Sequence, residues 1–226
     1  MPKAKIKKPQ RDHRYMVIDT ETTLETRQAF NIAYQITTGT GYQLEKKDFW
    51  LTEVLEEDRP FYATTKPTTA KNATRKQVKD NLVADEQKID AAFAYNSPFD
   101  QAALKATVDF EFTKPVKDLW TAAAVYVCDE DYIRWARTHG KVTEKGNIKT
   151  GAEVVYQYLS GVNEFEELHT AYQDSQIEKE ILKQIIAKGV DINKLENHPA
   201  PWRIVKKRAE EMDEWEASGG YCDARR

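Results

Sequence analysis

Hydrophobic residues in this chain come in short runs whose spacing changes along its length. Tyr15 to Ile18 and Ala91 to Tyr95 are continuous apolar stretches between polar neighbours, the pattern of strands buried on both faces. Phe30 to Thr37 and Tyr42 to Leu51 are β-rich segments around Gly39-Thr40-Gly41, which predicts a hairpin. Residues 52–90 are polar with scattered apolar positions and predict short helices and loops. Val116 to Val127 reads as a strand running into a helix. Further helices are expected from about Pro98 to Val108, from Gly151 to Ser160, from Ala171 to Lys188 where Gly189 stops the chain, and from Trp202 to Trp215. Strands first, then strands alternating with helices, indicate an α/β sheet with an antiparallel portion. Residues 1–13 lack periodicity and read as a disordered basic arm, 14–188 as the main domain with a polar insertion at 129–149, and 189–226 as a C-terminal helical appendage.

Composition narrows the setting. The chain has 226 residues, enough for one well-cored domain, and its 31% charged residues describe a heavily solvated surface. No run approaches a membrane span and the N-terminus lacks a secretory apolar stretch, so a cytoplasmic protein with no membrane partner is expected. Cys128 and Cys222 have no zinc-like or redox spacing. The net charge of −3 hides basic clusters. They are Lys3 to Arg14, then Lys66, Lys71, Arg75, Lys76 and Lys79, then Arg134, Arg137, Lys141, Lys145 and Lys149. Each could follow a phosphate backbone or simply be a solvated face.

The candidate chemistry lies at the ends of the apolar runs. Asp19 and Glu21 follow the first strand, and alternation along a strand projects both from one face, about 7 Å apart at the backbone. Paired carboxylates suit oxygen-ligated Mg²⁺ or Mn²⁺. Asp109 and Glu111 have the same spacing and could be a solvated strand edge. After the 91–95 strand comes Asn96-Ser97-Pro98-Phe99-Asp100, in which Ser97 looks like an N-cap and Asp100 falls at the third helical position. An acid there can serve the helix end alone, or a site at the strand's C-terminal end. The third cluster is His169-Thr170-Ala171-Tyr172-Gln173-Asp174. On a regular helix His169 and Asp174 would stand about 140° apart, so they converge only if His169 precedes the helix. Asp174 aligns with Ile181 and Ile185 on the apolar stripe, where an acid is costly unless paired or metal-bound.

Together these clusters resemble the DEDDh 3′→5′ exonucleases, the superfamily of proofreading subunits, ribonuclease T and oligoribonuclease. The motifs Asp-x-Glu, Asn-x-x-Phe-Asp and His-x-Ala-x-x-Asp occur in order as Asp19 to Glu21, Asn96 to Asp100 and His169 to Asp174, within about residues 14–188. The resemblance implies a ribonuclease H-like fold, a mixed five-stranded sheet with one antiparallel strand, flanked by helices. It implies that Asp19, Glu21, Asp100 and Asp174 hold two Mg²⁺ or Mn²⁺ ions and that His169 is the general base, with the rate climbing from about pH 6 towards 8. It places Thr20, Thr22, the residue at Leu24 and Asn96 against the terminal nucleotide. Many relatives carry glycine where this chain has Leu24, which puts the shape of that pocket in question. Leu24, Tyr132 and Trp135 could stack on bases, with packing of a small satellite core the favoured role for the two aromatics of the insertion. The implied reaction removes nucleotides from DNA 3′ ends, single-stranded preferred. RNA 3′-end trimming and a non-catalytic nucleic-acid-binding module remain open, as does a separate polymerase as partner.

Overall fold

The computed structural model describes residues 13–58, 60, 66–162 and 169–219. The arm (residues 1–12) and Cys222 lie outside these. The first strand, β1 (Arg14–Thr22), continues four residues past its apolar run and so carries Asp19 and Glu21. It pairs antiparallel with β2 (Ala29–Thr38), which returns through the predicted Gly39-Thr40-Gly41 turn to β3 (Gln43–Trp50). Gly41 is needed at the turn. Its φ is +82°, and a Cβ there would lie 2.7 Å from the Lys183 side chain. The 52–90 segment forms helix α1 (Thr52–Glu57), the two-residue strand β4 (Lys71–Asn72) and helix α2 (Arg75–Glu86). Then follow β5 (Ala91–Ala94), α3 (Ser97–Val108), β6 (Val116–Asp118) and α4 (Leu119–Tyr126). Helix α5 (Glu130–Thr138) occupies the insertion, and α6 (Ala152–Ser160), α7 (Ala171–Ala187) and α8 (Trp202–Ala217) complete the chain.

The sheet order is β4-β3-β2-β1-β5-β6. Only β2 runs against the others, so the ribonuclease H-like sheet is as expected, with the short β4 added at one edge. Two cores cover its faces. Tyr15 and Val17 of β1 point to a core built with α4, α5, α6, α7 and α8, and Met16 and Ile18 point to one built with α2 and α3. Alternation therefore puts Asp19 and Glu21 on the α7 face, where the apolar register of β1 ends.

The insertion and the C-terminal segment are integral to the first core. Tyr132, Ile133 and Ala136 of α5 and Val205, Ala209 and Met212 of α8 are buried in it. Arg137 reaches Asp213 at 2.8 Å, and Arg208 donates to the carbonyls of Ala124 and Cys128. Tyr132 is fully buried with its hydroxyl on the Lys149 carbonyl, and Trp135 packs on Tyr132 and Tyr158, so both aromatics fill the packing role. Among the described residues no helix is long and apolar enough to cross a membrane.

Candidate metal centre

Three carboxylates converge at the C-terminal end of β1. Asp19, Glu21 and Asp174 each offer a ligand atom, and these atoms lie within 4.8 Å of one another. Asp19 and Glu21 are half-buried, while Asp174 is 8% exposed. Strand β2 sets this distance. Its Asn31 accepts the Ala171 amide at the start of α7 (3.1 Å), and its Gln35 donates to Ser175 one turn further on (3.2 Å). Asn31 is fixed in turn by donating to Asp48 and the Phe49 carbonyl of β3. The β1–β2 register shifts between Glu21 and Thr22, where Phe30 of β2 is left over just beyond the acids, an irregularity common beside functional sites.

His169 stands outside the helix, as convergence with Asp174 demands. Thr170 is the N-cap of α7, and His169 precedes it with φ +50°, a conformation uncommon for a residue with a side chain. The ring is exposed at the mouth of the cluster's helix.

Asp100 differs from the expected geometry. Helix α3 begins at Ser97 with Asn96 as its cap, in the left-handed region at φ 66° and with no side-chain cap bond. Ser97 is thus not the N-cap, and Asp100 lies one position past the capping-box site. The helix start is held instead by Asp118, whose Oδ1 accepts the amides of Asn96 and Ser97 and whose Oδ2 accepts the amide and the hydroxyl of Thr121. Asp100 is 2% exposed and takes the Thr20 hydroxyl at 2.8 Å. Burial pushes its carboxyl up to about 7, with the Glu21 charge adding to the rise and the Thr20 hydrogen bonds opposing it.

Thr20 and Thr22 are both buried, and Thr20 uses its hydroxyl on Asp100; Asn96 is exposed beside them. Leu24 is 54% exposed on the loop after β1. That loop is braced by Asp58, which accepts the amides of Glu25 and Thr26. The second Asp-x-Glu match is not a strand edge. Asp109 and Glu111 follow the end of α3 and pair with Lys79 and Lys105.

Sequence reasoning missed two acids. Asp118 gave no signal beyond closing an apolar run. Glu178 had one: it extends the Asp174, Ile181, Ile185 stripe and is 2% exposed. Burial first, then repulsion from Asp19 and Asp100, hold its carboxyl well above the usual range.

A cluster of carboxylates and no thiol suits hard, oxygen-seeking divalent cations such as Mg²⁺ and Mn²⁺, so the residues present fit the metal that the fold class implies. A ribonuclease H-like sheet with acids at the end of its central strand defines the class. No family model matches this sequence, and no curated protein matches it. Solved structures do. Escherichia coli exonuclease I in complex with a 5cy-dT13 oligonucleotide superposes with a TM-score of 0.53 at 10% identity, over 90% of this chain and 45% of that one. Exonuclease I without ligand gives 0.52 at 12% identity, over 91% and 47%. Exonuclease X in complex with 5′-overhanging duplex DNA gives 0.49 at 15% identity, over 84% and 99%. The chain thus spans less than half of the exonuclease I structures, and at these identities what it shares with them is the fold.

Proposed function

We propose that this protein is a metal-dependent 3′→5′ exonuclease of the DEDDh type, acting on the 3′ end of single-stranded DNA. The convergence of Asp19, Glu21 and Asp174 at the end of the central strand, with His169 just ahead of α7, is the observation that carries it. Residues 14–188 are the catalytic unit in this reading, with 1–13 a basic arm and 189–226 an addition to it. A fold shared with a protein solved on an oligonucleotide supports nucleic acid as the substrate class.

Asp19, Glu21 and Asp174 would hold the cations, with Asp100 joining them from α3 once its proton is lost. Bound there, two divalent ions supply Lewis-acid stabilisation of the charge that develops on the scissile phosphate and the leaving 3′ oxygen. His169 takes the proton of the attacking water on a ring nitrogen, and its position outside the helix leaves that ring open to solvent and substrate. Thr20 orients Asp100. Leu24 presents an exposed apolar side chain on the loop after β1, where it can lie against the terminal base. Lys46 and Lys71 line a cavity of about 410 Å³ with Tyr172, and Lys46 brings positive charge to Tyr172 at the start of α7.

The test is incubation with 5′-labelled single-stranded DNA and RNA oligonucleotides in Mg²⁺, Mn²⁺ or EDTA. A metal-dependent ladder shortening from the 3′ end is expected, faster on DNA and absent in Asp19→Ala. Faster cleavage of RNA would make the protein a 3′-end trimming ribonuclease. Retention of uncut strands in a gel shift would make it a binding module. His169→Ala should lower turnover about 10²–10⁴-fold while keeping metal binding. Turnover near wild type would remove His169 from the mechanism.

A further inference from the structure

Glu178 has no part in the chemistry above, yet it is the most constrained acid of α7. It lies one turn beyond Asp174, and that spacing puts both carboxylates on one helix face with Cβ atoms about 5–6 Å apart. The Tyr95 backbone N–H, at the C-terminal end of β5, donates to it. Its Oε2 is buried with no hydrogen-bond partner among the described residues. Among the described residues no lysine or arginine pairs with it, and the charges of Asp19, Asp100 and Asp174 are near enough to act on it. A leucine or isoleucine here would continue the stripe of Ile177, Ile181 and Ile185 without this cost. A buried acid with a bare oxygen among like charges is explained by a cation that arrives after folding.

We infer that Glu178 is a fifth carboxylate of the cation site, its Oε2 completing the coordination shell that Asp19, Glu21, Asp100 and Asp174 begin. This rests on the metal-dependent reading. With Glu178 ionised, the carboxylate charge exceeds that of two divalent ions by one, so the site binds its cations more tightly than four acids would. Glu178 acts here as a cation ligand, and its effect is on cation affinity.

The experiment is calorimetric titration of Mn²⁺ into the full chain as wild type, Glu178→Gln and Asp174→Asn, beside thermal melts in EDTA. Glutamine keeps an acceptor for Tyr95 and removes the charge and the second carboxylate oxygen. Glu178→Gln is expected to weaken Mn²⁺ binding about tenfold or more and to melt higher than wild type in EDTA. A merely structural Glu178 would show the reverse, a lower melt in EDTA with Mn²⁺ affinity unchanged, and that result overturns the inference. If Asp174→Asn loses Mn²⁺ while Glu178→Gln binds it as wild type does, the fifth ligand falls and the metal site stands. If the wild type itself binds no Mn²⁺, both fall. Should Glu178→Gln lack a cooperative melt, Glu178→Met, of matching length and no charge, is read by the same criteria.

Discussion

Two groups of buried acids flank this sheet, and they solve the problem of burial differently. Asp85 on α2 is 1% exposed and has its countercharge built in, with Lys47 at 2.6 Å, Lys88 at 2.7 Å and the Tyr34 hydroxyl at 2.7 Å. Burial pushes its carboxyl up, but these three hydrogen bonds together outweigh it and hold the group below the usual range. Asp100 on α3 and Glu178 on α7 receive hydrogen bonds but, among the described residues, no lysine or arginine pairs with them, and both are held high. The difference separates a structural acid from one that awaits a ligand. Where the chain supplies the positive charge, the acid belongs to the fold; where it does not, the fold has left the charge to be brought from solution.

The largest effect should come from Asp174→Asn, which removes a carboxylate charge from the cluster of Asp19, Glu21 and Asp174. Nuclease activity and Mn²⁺ binding are expected to be lost, while the melting temperature in EDTA rises because like-charge repulsion is relieved. A lower melting temperature would make Asp174 the counterpart of Asp85 and break the distinction. The reciprocal substitution is Asp85→Asn. Urea unfolding should show a loss of about 2–4 kcal/mol, short of a fully buried pair because both lysines reach water, with Mn²⁺ affinity unchanged. Stability unaltered by this change would mean that the built-in pair is idle.

The smallest effect is a slope with pH. Asp100 keeps its proton up to about 7 in the folded protein, whereas the unfolded carboxyl loses it near pH 4 (roughly 3.9). Between these values the folded state binds the extra proton, so stability in EDTA should fall as pH rises through that window. Asp85 has the opposite sign, since its lowered value gives stability that is present at neutral pH and is lost only on acidification. Melts from pH 5 to 7.5 should therefore decline for the wild type in EDTA, flatten in saturating Mn²⁺, and flatten in Asp100→Asn. A level profile for the metal-free wild type would show that Asp100 is already ionised.

Much of this was legible in the chain, because period and local chemistry are properties of neighbours in sequence. The apolar runs at 15–18 and 91–95 marked the central strands, and the Gly39-Thr40-Gly41 turn marked the hairpin. The acid on the apolar stripe of α7 singled out Asp174, which lies in the carboxylate cluster. What the chain alone could not decide depended on partners distant in sequence. The start of α3 is set by Asp118, more than twenty residues downstream, so local N-cap chemistry at Ser97 named the wrong residue. For the basic residues of 66–79 the chain left a phosphate track and a solvated face both open; in the fold Arg75, Lys76 and Lys79 pair with Glu57, Asp80 and Asp109.

The sequence by itself determined which residues are acids, which strands and helices carry them, and that His169 must precede its helix, because 3.6 residues per turn allows no other convergence. Only the tertiary structure decided that β2 grips the start of α7 through Asn31 and Gln35, bringing Asp174 across to Asp19 and Glu21. It separated Asp85 from Glu178. Both are buried helical acids; Lys88, three residues on, was a local sign at Asp85, but that Lys47 of β3 stands opposite is a matter of sheet register and packing that no local pattern records.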